Sequence, residues 1–77
     1  MAVIAGFKRA EKTPKLQPSQ VICYWSVADI DGKKLMQIDT YGSKLRQIPG
    51  KQSQTLQLDR SQAERLHQIL KQQFGFA

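Results

Sequence analysis

The hydrophobic and polar positions of this chain change their spacing along its length, and these changes mark its elements. Residues 20–30 are rich in valine, isoleucine, tyrosine and tryptophan, which favours a β-strand over a surface helix. Asp31 and Gly32 follow at once, and an Asp-Gly pair after such a segment is typical of a type I′ hairpin turn, whose central residues need positive φ. We therefore predict that the chain returns through a second strand, Lys33–Tyr41.

Two further strands are predicted from alternating patterns. Val3–Arg9 alternates weakly and fits an edge strand, and residues 10–18, which contain two prolines, indicate an extended connector. Ser53–Leu58 alternates between polar and apolar residues, as expected for a strand with one buried face. The side chains expected to point inward are Leu56 and Leu58, and those expected to point outward are Ser53, Thr55 and Gln57.

A helix is predicted near the C-terminal end of the sequence. Asp59 can accept hydrogen bonds from free backbone N–H groups, and Gln62 can supply the reciprocal arm of a capping box. Gly75 is a suitable residue for the end of the helix. The apolar positions between these ends follow the helical period, and they are Ala63, Leu66, Leu70 and Phe74, with Ile69 at the border.

Together these elements predict an α+β fold, in which a curved four-stranded antiparallel sheet is followed by one C-terminal helix that covers one face. We expect one small domain over residues 1–77, with an edge strand and connector in 1–18, the sheet in 19–58 and the helix in 59–74. Since no second helix is predicted for the other face of the sheet, we expect a homodimer. Its expected interface is formed by Leu66, Ile69, Leu70 and Phe74.

Charge and hydropathy narrow the possible partners. Twelve lysines and arginines against six acidic residues leave a formal charge of +6, which favours a polyanionic partner. No apolar segment approaches the roughly 20 residues that span a bilayer, and the first residues become charged too early for a secretory signal. We therefore expect a cytoplasmic protein without a membrane partner.

Catalytic and metal-binding patterns are not found in the sequence. His67 falls at the edge of the helix's apolar stripe, where a histidine more often packs and makes one hydrogen bond than catalyses. Cys23 alternates with Val21 and Trp25 along a strand, so we expect a small buried hydrophobic residue there. One histidine and one cysteine are too few for a structural zinc site. We expect no enzymatic activity, no metal and no cofactor.

The basic loop that follows the strand ending in Tyr41 contains the strongest functional signal. Its cations have no acidic neighbour between residues 40 and 57. They are Lys44, Arg46 and Lys51. Cations for phosphate beside an aromatic ring that can stack on a base are what single-stranded nucleic acid requires of a protein. The alternative is an ordinary solvated loop, in which lysines are common.

A face of the predicted sheet extends this loop. Alternate residues of a strand share a face, so Gln37, Asp39 and Tyr41 are expected to lie together. Tyr24 and Trp25 project to opposite sides of their strand, so either one is a second stacking residue on this face; the alternative is that both belong to the core. Lys33 and Lys34 are expected to assist.

A second basic segment lies near the N-terminus. It contains Lys8, Arg9, Lys12 and Lys15 and is diluted only by Glu11. If this segment folds near the basic loop, the two form one positive rim. Otherwise it is a solvated arm.

The segments YWSVADIDGKKLMQIDTYGS and PGKQSQTLQLDRSQAERLHQIL resemble a known domain over about residues 21–70. This is the single-stranded-DNA-binding domain of the transcriptional coactivator family called positive cofactor four, which has bacterial and phage relatives. The matching positions are Gly32 and Lys33, Pro49 to Lys51, and Leu56–Asp59. The resemblance implies single-stranded DNA on the sheet, dimerisation through the capped helix, and a role in transcription regulation.

The segment DTYGSKLRQIPGKQSQ is more closely similar to a group of short bacterial proteins labelled methionyl-tRNA formyltransferase. That activity is not expected here, because the true enzyme is several times longer and needs a folate site that this sequence lacks.

These patterns predict a small nucleic-acid-binding module of bacterial or phage type, which binds single-stranded DNA or RNA on the sheet face and basic loop of a homodimer. The predicted contacts are Lys33, Lys34, Tyr41, Lys44, Arg46 and Lys51, with Tyr24 or Trp25 as a further stacking residue. The alternative is a protein-interaction module without catalytic activity, such as a plasmid- or phage-type regulator or inhibitor.

Overall fold

The computed structural model describes residues 1–41 and 52–76. In this part of the chain the elements are β1 (Ala2–Val3), β2 (Cys23–Ile30), β3 (Lys33–Tyr41), β4 (Gln52–Leu58) and α1 (Arg60–Phe74). The strands form one sheet in the order β1-β4-β3-β2, with antiparallel pairing of β4, β3 and β2. The predicted α+β fold, a four-stranded and mostly antiparallel sheet followed by a helix, is confirmed.

The β2–β3 hairpin forms where the sequence predicts it. Its turn residues Asp31 and Gly32 have φ values of 53° and 77°. Positive φ at both central positions is the requirement of the type I′ turn, and aspartate and glycine tolerate it better than most residues. The turn pairs Ile30 with Lys33 and thereby sets the register of the whole hairpin.

The N-terminal strand is shorter than predicted. The alternation of Val3–Arg9 indicated an edge strand, but β1 ends at Val3 and pairs in parallel with β4. The Ile4 N–H donates one further hydrogen bond, to the Gln57 carbonyl oxygen at 2.9 Å. The next residues are an alanine and a glycine, both of low β propensity, so the chain leaves the sheet edge there.

Both ends of α1 agree with the sequence. The Asp59 side chain accepts a hydrogen bond from the Gln62 N–H at 2.9 Å, and Gly75 adopts φ 75° and donates to the Lys71 carbonyl at 2.9 Å. The reciprocal arm of the capping box is different, because the Gln62 side-chain amide donates to the Ala5 carbonyl at 3.2 Å. Within residues 1–41 and 52–76, no helix is long and apolar enough to cross a membrane.

The two faces of the sheet differ in chemistry. Alternation and register place apolar side chains of three strands on one side, which we call the apolar face: Trp25, Val27, Met36, Ile38, Leu56 and Leu58. The opposite side, at the end away from the hairpin turn, we call the polar face: Tyr24, Ser26, Gln37, Asp39, Tyr41, Thr55 and Gln57.

The apolar face is mostly uncovered in the single chain. Leu58 is 3% exposed and is the one buried hydrophobic residue in the described part of the chain. The helix contacts the sheet mainly through β4, so Trp25 on the edge strand β2 remains 69% exposed. Leu56, which was expected to be buried, is also exposed.

Cys23 is a correction to the sequence analysis. Its place in an alternating strand predicted a small buried hydrophobic residue, but the thiol is exposed. Cys23 opens the edge strand β2, whose residues are all exposed in the single chain, because the helix does not reach this side of the sheet.

Candidate functional site

The Asp39 carboxylate organises the polar face. The Gln37 side-chain amide donates to both carboxylate oxygens, at 2.9 and 3.1 Å. Thr55, which lies opposite Asp39 on β4, donates its hydroxyl hydrogen to Oδ1 at 2.7 Å. Two neighbouring strands are therefore joined by side chains as well as by their backbones.

A second cross-strand bond extends this row. Gln57 lies opposite Gln37, and its Nε2 donates to the Gln37 Oε1 at 2.8 Å. The Gln37 amide thus accepts on one side and donates on the other, which fixes its orientation. Hydrogen bonds linked in this way polarise and so strengthen one another, and the row forms one connected polar surface.

Thr55 differs from its predicted environment. The alternation of β4 correctly assigns it to the outward face, opposite Leu56 and Leu58, but Thr55 is buried on that face and only 8% exposed. Its short hydroxyl bond to Asp39 explains how a polar residue is tolerated there.

Two aromatic rings lie at one end of the polar face. The Tyr24 and Tyr41 ring centroids are 5.3 Å apart with an interplanar angle of 82°, an edge-to-face contact. Tyr24 is directly opposite Asp39, and Tyr41 is two residues further along β3, so the contact is diagonal. Tyr24 is 57% exposed and Tyr41 is half-buried.

Of the two aromatic residues at this position of β2, Tyr24 is the one on the face of Tyr41. Tyr24 shares the face of Tyr41, whereas Trp25 lies on the apolar face, opposite Ile38. Both rings are exposed in the single chain, so the alternative in which both belong to a buried core is wrong.

The predicted lysines of β3 do not join the aromatic pair. Lys33 lies on the side of the polar face but beside the hairpin turn, about 26 Å along the strand from Tyr41 at the usual rise per residue. Lys34 is on the apolar side, opposite Asp29. Both lysines are exposed.

The remaining predicted cations, Lys44, Arg46 and Lys51, lie outside the described residues. The residues at which the described strands stop and resume are Tyr41 and Gln52, which are paired in the sheet. The residues that flank the segment with the three cations therefore lie at the aromatic end of the polar face.

The apolar stripe of the helix, predicted to form the dimer interface, is partly buried within the single chain. Leu66, Ile69 and Leu70 are half-buried, whereas Phe74 is exposed and its ring stacks on that of Phe76, with centroids 6.1 Å apart. His67 is exposed on the same helix. In the described segments, no three His, Cys, Asp or Glu side chains are grouped so that they could hold a metal ion.

The sequence analysis missed one basic residue, Arg65. The structure places Lys8 and Arg9 beside residues 65–73 of α1, so Arg65 joins them. The spacing of residues along either segment contains no signal for this contact, because the two segments are more than fifty positions apart and meet only through the fold.

Comparisons of the chain with protein-family models, with curated proteins and with solved structures give no match. A function for the polar face is therefore inferred from its geometry and charge.

Replacing Asp39 with alanine should destabilise the fold. The substitution leaves the buried Thr55 hydroxyl and the Gln37 amide without their shared acceptor, which costs about 1–3 kcal/mol of unfolding free energy. Urea denaturation measures this value. The matched control is Asp29→Ala on the exposed edge strand, which should change stability by less than about 1 kcal/mol. Equal losses for the two variants would show that the hydrogen-bonded row does not stabilise the sheet.

Proposed function

We propose that this protein is a small nucleic-acid-binding module that binds single-stranded DNA or RNA on its polar face. The observation that supports this most strongly is the Tyr24–Tyr41 pair, which lies on the same face as the hydrogen-bonded row. Tyr41 is also the last residue of β3, directly before the basic loop in the sequence. Aromatic rings beside a basic segment are the combination that single-stranded nucleic acid requires.

The bases and the phosphates have different places in this proposal. The bases stack on Tyr24 and Tyr41 and face the glutamine side chains of the sheet. The phosphates bind to Lys44, Arg46 and Lys51, which the sequence places between β3 and β4. The negative charge of Asp39 repels phosphates from the centre of the face. The oxygens of Asp39 accept hydrogen bonds from Gln37 and Thr55.

The same geometry favours a single strand over a duplex. Stacking on a tyrosine ring needs the flat surface of a base, and in a duplex that surface is covered by the neighbouring base pairs. The proposal includes no catalytic step and no cofactor. It assigns the protein to the cytoplasm, with a regulatory role at single-stranded stretches of nucleic acid.

A homodimer is part of the proposal, since a second copy can cover the apolar face and leave the polar face free. A groove of about 750 Å³ beside this face is lined by Val27, Met36, Leu58 and Ala63 among others. The same chain carries an exposed apolar group, the stacked Phe74 and Phe76. In a symmetric dimer, the phenylalanine pair of each chain can pack against the apolar groove of the other chain.

The alternative function uses the same apolar face. Exposed apolar surface on a small domain also suits a different partner protein, as in a regulator or inhibitor. The two functions differ in their response to salt, because phosphate contacts release counterions and a mainly apolar protein interface does not.

Replacing Tyr24 or Tyr41 with alanine should weaken binding of a mixed-sequence single strand by about 1–3 kcal/mol per stacked base without changing the salt dependence. Tyr24→Phe and Tyr41→Phe keep the ring and should bind like the parent. Fluorescence anisotropy at two salt concentrations measures both quantities, and a melting curve of each variant checks the fold. Alanine variants that are folded and bind as tightly as the parent would rule out the stacking role.

Changing Lys44, Arg46 and Lys51 together to alanine should weaken single-strand binding and make the log–log salt slope shallower by up to about 2, since each phosphate contact contributes roughly 0.7. The fold should be retained. The same anisotropy titration gives the slope. An unchanged slope would identify the segment as an ordinary solvated loop.

The dimer is tested with a charge placed on the apolar face. Trp25→Glu should produce a monomer, because a carboxylate would be buried without a partner in the interface, while the exposure of Trp25 in the single chain spares the fold. Ser26→Glu, next along β2 and on the polar face, should remain dimeric. Light scattering over a wide range of protein concentration gives the masses. A monomeric parent would contradict the dimer and favour a different partner for this face.

A further inference from the structure

The segment that follows β1 is held against the helix by contacts at successive residues. The Ile4 N–H bonds to Gln57 at the sheet edge, and the Ala5 carbonyl accepts a hydrogen bond from the Gln62 side chain of α1. Phe7 is half-buried two residues later. These contacts direct residues 7–9 along α1, so Lys8 and Arg9 lie beside the helix, whereas Lys12 and Lys15 are exposed.

A groove of about 430 Å³ lies between residues 7–9 and residues 65–73 of α1. Its apolar lining is provided by Phe7 and Ile69. Its polar lining includes Lys8, Arg9, Arg65 and the amide of Gln72, and no carboxylate is among the residues that line it. A volume of this size is typical of sites for small molecules or for parts of a polymer.

In the described part of the chain, no side-chain ion pair involves Lys8, Arg9 or Arg65. The side-chain ion pair found there joins Arg60 and Glu64 at 3.4 Å, which occupies the acidic residue next to Arg65 in sequence. Three positive side chains around one concave surface raise the local potential and attract an anion.

We infer that this groove binds a phosphodiester group of a nucleic-acid strand, as a second contact beyond the polar face; the inference rests on the proposed function. Arginine presents a planar set of donors that matches two phosphate oxygens, and Lys8 and Gln72 add single donors. Phe7 and Ile69 suit the carbon atoms of the adjoining sugar. A strand that occupies the polar face and the groove must be longer than one that occupies the polar face alone.

The test compares two triple variants that remove the same charge. Lys8→Gln, Arg9→Gln and Arg65→Gln alter the groove, whereas Lys12→Gln, Lys15→Gln and Lys71→Gln alter exposed lysines that do not line it. Each is titrated with oligonucleotides of about 4 and about 20 nucleotides, lengths chosen from the usual size of single-strand sites. Melting curves verify that both triples are folded.

The groove triple should lose affinity for the longer oligonucleotide, with a salt slope shallower by about 0.7 for the one phosphate contact, and bind the shorter one like the parent. The control triple should keep most of the parent slope. Equal effects of the two triples on the longer strand would overturn the inference, because the contribution would then come from overall charge.

An experiment without nucleic acid distinguishes a failure of this inference from a failure of the proposed function. Addition of tripolyphosphate to the ¹⁵N-labelled parent should shift the amide resonances of residues 7–9 and 65–73, and the groove triple should lose these shifts. Localised shifts without oligonucleotide binding would refute the proposed function and leave the anion site standing. Oligonucleotide binding without localised shifts would refute the groove and leave the polar face standing.

Discussion

The register of the central strand β3 is the constraint on which the rest of this structure depends. Side chains alternate between the faces of a strand, so a slip of one residue would exchange the polar and apolar faces. The turn at Asp31 and Gly32 sets the register on the β2 side. On the β4 side, the bonds of Gln57 to Gln37 and of Thr55 to Asp39 form only when these residues are opposite each other.

The two faces of the sheet are stabilised to different extents within the single chain. On the polar face, hydrogen bonds between side chains satisfy the groups that lie deepest, and the tyrosine rings remain accessible at the edge. On the apolar face, one helix covers little more than the region around Leu58. A chain of this length buries a smaller share of its surface than a larger domain does. Burial of the uncovered apolar face against a partner would therefore be favourable.

Gln62 connects the helix to the N-terminal segment. Its backbone N–H is bonded to the Asp59 cap, while its side chain holds the Ala5 carbonyl. One residue at the start of α1 therefore contributes to the helix terminus and to the path of the preceding chain. Lys8 and Arg9 lie next to Arg65 as a consequence of this path. Positive charge is thus concentrated at the helix as well as in the segment between β3 and β4.

Features that depend on neighbouring residues can be predicted from the order of the amino acids alone. The hairpin turn, the bounds of β3, the cap at Asp59 and the end at Gly75 follow from local backbone preferences. The grouping of alternate residues of β3 on one face follows from strand geometry alone, and the contacts of Gln37 with Asp39 agree with it.

Features that depend on residues far apart in the chain become visible only in the folded molecule. The pairing of β2 with β3 places Tyr24 opposite Asp39 on the polar face, and the ring contact with Tyr41 forms only in that pairing. The burial of Thr55 and the parallel pairing of β1 require partners on other strands. Arg65 meets Lys8 only because the chain crosses from the sheet edge to the helix. Patterns along the chain encode local conformation, whereas these contacts are selected by the packing of elements far apart in sequence.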